Sequence, residues 1–127
     1  MIRRMLVAFT VAAAATVPLQ PARAELYTIE QLRGLCRGES AESPEFRTGA
    51  GYRLLAQIAR ERCRMFLLGV ADAALELSAR RCIPAGTEPA AVADYLAEAV
   101  LAEPEGSGGT VAGIVRDALR TRYGCAV

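Results

Sequence analysis

Four cysteines constrain the fold of this 127-residue chain more than any other feature of its sequence. They are Cys36, Cys63, Cys82 and Cys125. An even number of cysteines in a short exported chain predicts two disulfide bonds. The alternatives are a zinc site or free thiols in the core. Zinc sites favour close pairs such as C-x-x-C, and the sequence contains none. We therefore expect two disulfides, no metal and no cofactor.

The N-terminal residues are typical of a secretory signal peptide. Residues 1–4 include two arginines, residues 5–19 are mainly apolar, and Ala22-Arg23-Ala24 has the small-x-small pattern of a signal-peptidase site. A transmembrane anchor is the alternative, but it needs about 20 apolar residues, and this run is shorter and contains Pro18. We predict a signal peptide over residues 1–24, cleavage after Ala24, and one helical domain over residues 25–127 in the periplasm.

Helix geometry ranks the three pairings that four cysteines allow. Cys63 and Cys82 lie nineteen residues apart on one predicted helix, which separates them by roughly 28 Å. A disulfide requires about 5.5 Å between Cα atoms. A bond between Cys36 and Cys82 would require residues 37–50 to be almost fully extended. The pairing Cys36–Cys63 with Cys82–Cys125 meets neither obstacle, and we favour it.

The spacing of apolar residues and of helix caps predicts an all-α fold, a small compact bundle of about four helices. No strand-like alternation is present. The first helix begins after Thr28, which forms a capping-box pattern with Gln31, and ends at Gly38. The other helices are predicted to span Gly51–Arg81, to run from a Thr87 cap to before Pro104, and to run from a Thr110 cap to Gly124.

The long second helix is predicted to be central, because its apolar stripe is too broad for one neighbour. That stripe contains Leu55, Ala59, Cys63, Phe66, Val70, Ala73 and Leu77, and it is widened by Leu54, Ile58, Leu68 and Leu75. Glycine inside a helix costs about 1 kcal/mol relative to alanine, so we expect another backbone to approach Gly69 closely. Asp72 is expected to be buried and hydrogen-bonded to a helix start or an arginine. The alternative is that it contacts a partner.

Composition argues against several classes of function. Without the predicted signal peptide the chain has twelve arginines and fourteen acids, a net charge of −2. Nucleic acids and anionic membranes both favour basic surfaces, so we expect neither as a partner. The chain has no histidine, which excludes Ser-His-Asp and Cys-His nucleophiles. We therefore expect a binding protein and not an enzyme.

Several residues together carry a resemblance to a known family. The segment from Cys63 to Asp72 contains Phe66 and Gly69 in a C-x-x-F-x-x-G-x-x-D pattern. Cys82-Ile83-Pro84 follows, and Tyr123-Gly124-Cys125 closes the chain. The sequence resembles the Rap/Tai immunity proteins, periplasmic partners of type VI secretion amidase effectors. That family usually has tyrosine at the position of Phe66 and proline at that of Gly124. The resemblance implies a disulfide-bonded helical scaffold, often dimeric, that inhibits a peptidoglycan-cleaving amidase.

Two loops are candidates for the partner-binding surface. The acidic loop Glu103–Gly109 has flexible glycines, and its Glu103, Glu105, Gly106 and Ser107 are the residues predicted to enter the cleft of an amidase. The loop over residues 38–50, with Glu39, Glu42 and Glu45, is an equal rival. The alternative for each loop is that it is a solvated linker without a binding role. The alternative function is that of a periplasmic, disulfide-bonded helical stress protein or chaperone, which exposes apolar surface in acid.

Overall fold

The computed structural model describes residues 26–39, 49–76 and 82–127, which form four α-helices and, within these ranges, no β-strand. The helices are α1 (Ile29–Arg37), α2 (Ala50–Glu76), α3 (Pro89–Ala102) and α4 (Val111–Tyr123). The predicted all-α bundle is confirmed. The predicted signal peptide, Glu42 and Glu45, and the last five residues of the predicted second helix lie outside the described residues.

Two of the three predicted side-chain caps are present. Thr28 Oγ1 accepts a hydrogen bond from the Gln31 backbone N–H at 3.2 Å, and the Gln31 side chain accepts one from the Thr28 N–H at 3.0 Å. Thr110 Oγ1 accepts from the Gly113 N–H at 3.0 Å. Each cap satisfies backbone donors that the first helical turn leaves without partners.

The predicted cap of α3 is wrong by one residue. The N-cap is Glu88, and its side chain makes no capping hydrogen bond. Thr87 instead donates its hydroxyl to the carbonyl oxygen of Pro84 at 2.8 Å. The turn that begins at Pro84 therefore uses the hydroxyl that would otherwise cap the helix.

Helix α2 is central, as predicted, because it contacts α1, α3 and α4. The core between the helices includes Leu32 of α1, Leu67 of α2, Leu96 of α3 and Leu119 of α4, and each of these side chains is fully buried. Complete burial of a leucine side chain contributes about 1.5–3 kcal/mol. The four helices therefore share one apolar core.

The buried stripe of α2 differs from the predicted one. It consists of Ala56, Ala59, Cys63, Leu67 and Ala71. Ala59 and Cys63 were predicted correctly, whereas Leu54 and Ile58 remain 58% and 38% exposed, and Ala73 is also exposed. The helix has apolar side chains around much of its circumference. Its neighbours bury the side with Cys63 and Leu67, half-bury Phe66, Val70 and Leu75, and leave Leu54 exposed.

Two further expectations for α2 are wrong. Among the described residues, no atom lies within 4 Å of a Cβ built on Gly69, so none of their backbone approaches this glycine. Asp72 is exposed and not buried. Gly69 and Asp72 are separated by three residues and therefore lie on the same side of the helix. The described neighbours of α2 leave that side uncovered.

Both disulfides have the favoured pairing. Cys36–Cys63 joins α1 to α2, and Cys82–Cys125 joins the segment before α3 to the end of the chain after α4. The Cα atoms of each pair are 5.1 Å apart. The described residues contain no free cysteine. The two bonds close loops at both ends of the bundle and so restrict the unfolded chain.

Candidate functional site

The predicted binding loop Glu103–Gly109 is a compact, exposed turn between α3 and α4, which we call the α3–α4 loop. The Ser107 N–H donates to the Pro104 carbonyl at 3.3 Å, and Ser107 Oγ accepts from the Gly109 N–H at 3.3 Å. Gly106 has φ +70°, a backbone conformation that favours glycine. Glu105 and Gly106 are exposed at the turn, whereas Glu103 is half-buried at its base.

Helix α1 contacts the end of α3, just before the α3–α4 loop. Arg33 is only 6% exposed, and its guanidinium donates to the Leu101 carbonyl at 3.5 Å and contacts Glu30 at 3.3 Å. Its Nε atom has no hydrogen-bond partner among the described residues. This contact links α1 to the chain where the loop begins.

A second surface, which the sequence did not indicate, lies along α2. Leu54, Ile58 and Met65 line a groove of about 370 Å³. Met65 also lines a groove of about 640 Å³ that continues between α2 and α4, past Gly69 to Val111. We call these two adjoining grooves the α2 trough. Met65 is 67% exposed. A large exposed apolar surface on a small protein commonly marks an interaction site.

Charged groups of both signs lie around the α2 trough. Arg62 lies about midway along its α2 residues, Arg116 lines it from α4, and both are exposed. Glu61 also lines the trough, but Arg64 donates to it at 2.7 Å. Arg64 binds Asp94 of α3 at 2.7 Å as well, and hydrogen bonds to Glu61 and Asp94 raise the pKa of its guanidinium. Asp72 is exposed on the same side of α2.

The α2 trough was not predicted, because the apolar residues of α2 were assigned to a single stripe. Leu54, Ile58, Met65 and Gly69 are separated by four, seven and four residues. Such intervals place them on one face of a helix. That face lies opposite the face that holds Cys63. The sequence signal for the trough is this second apolar face of α2. The sequence does not reveal which of the two faces the neighbouring helices will cover.

The residues of the family-like motif are dispersed and do not form one site. Phe66 packs edge-on against Tyr27, with ring centroids 4.9 Å apart. Tyr123 packs edge-on against Tyr95 at 6.4 Å. Pro84 is exposed in the turn before α3. Phe66 and Tyr123 therefore pack within the scaffold, and Phe66 and Gly69 both line the α2 trough.

The rival loop over residues 38–50 is described only at its ends. Glu39 lines a cleft of about 520 Å³ between α1 and α2, together with Glu30, Leu35 and Leu55. Glu39 also lies 3.9 Å from Arg37. This cleft adjoins the α2 trough, with which it shares Ile58 and Arg62, and it adds the carboxylates of Glu30 and Glu39.

The described residues place no three potential metal ligands together. Within the same ranges, no helix is both long and apolar enough to cross a membrane.

Comparison with known proteins identifies a family. The sequence model of the Rap1a immunity proteins matches residues 28–125. That range includes all four helices and both disulfides. No curated protein and no solved structure matches the chain.

Proposed function

Because this chain belongs to the Rap1a immunity protein family, we propose that it is a periplasmic inhibitor of a peptidoglycan-degrading amidase delivered by type VI secretion. The family match over residues 28–125 is the observation that carries this proposal. The absence of histidine supports binding over catalysis, since most acid–base and nucleophilic sites use that residue. The two disulfides suit an oxidising compartment such as the periplasm.

Inhibition by the α3–α4 loop is the mechanism that fits the geometry. The turn places Glu105 and Gly106 at the exposed end, and Arg33 of α1 donates to the Leu101 carbonyl just before the loop. The hydrogen bond from Ser107 N–H to the Pro104 carbonyl constrains the turn, which reduces the conformational entropy that the loop would lose on entering a cleft. A carboxylate that is desolvated against donors of the amidase would add charge-assisted hydrogen bonds. The loop would thus exclude substrate from the active site.

The experiment mixes the protein with the amidase encoded beside it and measures peptidoglycan cleavage. We expect deletion of Pro104–Gly109 to weaken inhibition at least about tenfold, which corresponds to about 1.4 kcal/mol. Glu105→Lys should weaken it as well. Glu98→Lys makes the same charge change on the exposed face of α3 and is the matched control. Full inhibition by the deletion variant would remove the loop from the mechanism, and no inhibition by the wild-type protein would refute the proposed function.

A homodimer is a further part of the proposed function, and sedimentation at micromolar concentration tests it.

The exposed Leu54 and Met65 also favour a second candidate function, that of a stress protein that holds unfolded clients. Suppression of client aggregation at pH 2–3 would support that function. A failure to suppress aggregation, combined with tight amidase inhibition, would eliminate it.

A further inference from the structure

We propose that Arg33 of α1 is a positioning residue for the α3–α4 loop, because its guanidinium neutralises the C-terminal end of α3, from which the loop starts. This inference deepens the proposed function and rests on it, since it concerns the loop that is proposed to inhibit the amidase. Arg33 lies 68 residues before Leu101 in the sequence. It is outside the loop and acts on inhibition without contact with the amidase.

The burial of Arg33 requires a physical reason. It is the one charged side chain that is buried among the described residues, and a buried charge is costly unless other groups compensate for it. Its ion-pair partner, Glu30, keeps 64% of its side chain exposed, so water weakens that contact. An exposed arginine makes an ion pair of the same kind, as Arg120 does with Asp117 at 3.1 Å. The contact with Glu30 therefore does not explain why Arg33 is buried.

The C-terminal end of α3 supplies the compensation. The last carbonyls of a helix lack partners within the helix and carry partial negative charge. Helices α1 and α4 each have arginine in their last turn, whereas α3 has no basic residue there and ends at Glu103. The guanidinium of Arg33 lies at this end and donates to the Leu101 carbonyl at 3.5 Å. Helix α1 thus provides the cation that α3 lacks.

The end of α3 is also the start of the loop. The Glu103 N–H donates to the Val100 carbonyl at 3.4 Å and so closes the last turn of the helix. Without Arg33, the Leu101 carbonyl must turn to water, and helix termini are the parts of a fold that open most readily. A loop whose starting point varies loses more conformational entropy on entering a cleft. Arg33 therefore favours inhibition by keeping the loop in one position.

Arg33→Met tests this role, because methionine removes the charge and retains an apolar side chain. Replacement of a buried ion by an apolar side chain of similar volume is often neutral for stability, and the exposed Glu30 is left in water, so we expect the variant to fold. Arg33→Gln also removes the charge and serves the same test if the methionine variant does not fold. Arg33→Lys retains the charge. Arg120→Met is the matched control, since Arg120 also pairs with an acid and donates to a backbone carbonyl, but at the far end of α4.

Hydrogen exchange measured by NMR on the oxidised protein is the first readout. We expect Arg33→Met to accelerate exchange of the Glu103 and Ser107 amides at least about tenfold, the effect of losing one hydrogen bond to a charged group. The Leu67 amide in α2 should exchange as in the wild type. Arg33→Lys should show a smaller change, and Arg120→Met should leave the loop amides unchanged. Unaltered exchange in the loop, or an equal acceleration at Leu67, would overturn the inference.

Inhibition of the amidase encoded beside the protein is the second readout. We expect Arg33→Met to weaken inhibition at least about fivefold, and its combination with Glu105→Lys to lose less than the two single losses together, because both act through the loop. Strictly additive losses, or full inhibition by Arg33→Met, would overturn the inference and leave the proposed function intact. A wild-type protein that does not inhibit the amidase would refute the proposed function and with it the inhibitory role of Arg33, whereas hydrogen exchange would still show whether Arg33 orders the loop.

Discussion

The open space around Gly69 predicts that alanine at this position stabilises the protein. The close backbone approach expected from the sequence would instead make alanine destabilising. Glycine inside a helix costs about 1 kcal/mol relative to alanine. Among the described residues, no atom lies within 4 Å of a Cβ built at Gly69, so alanine recovers this helix propensity without a steric cost from them. We expect Gly69→Ala to raise the free energy of unfolding by about 1 kcal/mol. For a domain of about 100 residues, that shifts Tm upward by about 4–8 °C.

Gly38 supplies the contrasting case. Its φ is +84°, and a Cβ there would lie 2.7 Å from Arg60 Nη1 and 3.1 Å from the Ala56 carbonyl oxygen. The arginine end can move, but the carbonyl belongs to α2 and cannot move freely. The left-handed conformation alone costs about 1–2 kcal/mol for a non-glycine residue. We therefore expect Gly38→Ala to lower the free energy of unfolding by at least about 1 kcal/mol.

Urea unfolding followed by far-ultraviolet circular dichroism measures both variants, with the disulfides kept oxidised. If the m-values are unchanged, a difference in the urea midpoint reflects a difference in the free energy of unfolding. The reasoning fails if Gly69→Ala destabilises the protein. That result would mean that another part of the chain packs against Gly69.

Three further predictions concern stability, and the same urea assay measures each. Alanine at both Cys82 and Cys125 opens a loop with a sequence separation of 43 and should cost about 4 kcal/mol; a loss under about 1 kcal/mol would contradict the loop-entropy argument. Glu88→Ser places a capping hydroxyl where the present side chain makes no cap bond, so a gain of about 0.5–1 kcal/mol is expected, and a loss would show that Glu88 has another role. Asp94→Asn weakens an exposed pair with Arg64 and should cost less than about 1 kcal/mol, with a smaller effect in high salt; a larger, salt-independent loss would refute this.

Much of the scaffold was predictable because local chemistry specifies it. Thr28, Gln31 and Thr110 cap helices through contacts that span only three residues, so the sequence contains all the information that these ends require. Thr87 shows the limit of such reasoning. Its hydroxyl has two acceptable partners, and the turn at Pro84 takes it.

The candidate site was only partly predictable. The α3–α4 loop is visible in the sequence because glycine, proline and glutamate interrupt two helical patterns. Its support by Arg33 was not predicted, because an arginine 68 residues from Leu101 in sequence gives no sign that it will be buried beside that carbonyl. Long-range contacts of this kind exist only after the helices pack.

The sequence by itself determined the helix number and most helix ends. It also favoured the correct disulfide pairing, since helix distances separate Cys63 from Cys82 and a Cys36–Cys82 bond would need an almost fully extended connection. Only the tertiary structure decided which face of α2 is covered. Apolar residues surround much of that helix, and the hydrophobic effect rewards the burial of any of them without regard to direction. In the packed bundle, Ala56, Ala59 and Ala71 are buried against the neighbouring helices. Leu54, Met65 and Gly69 consequently remain on the open side.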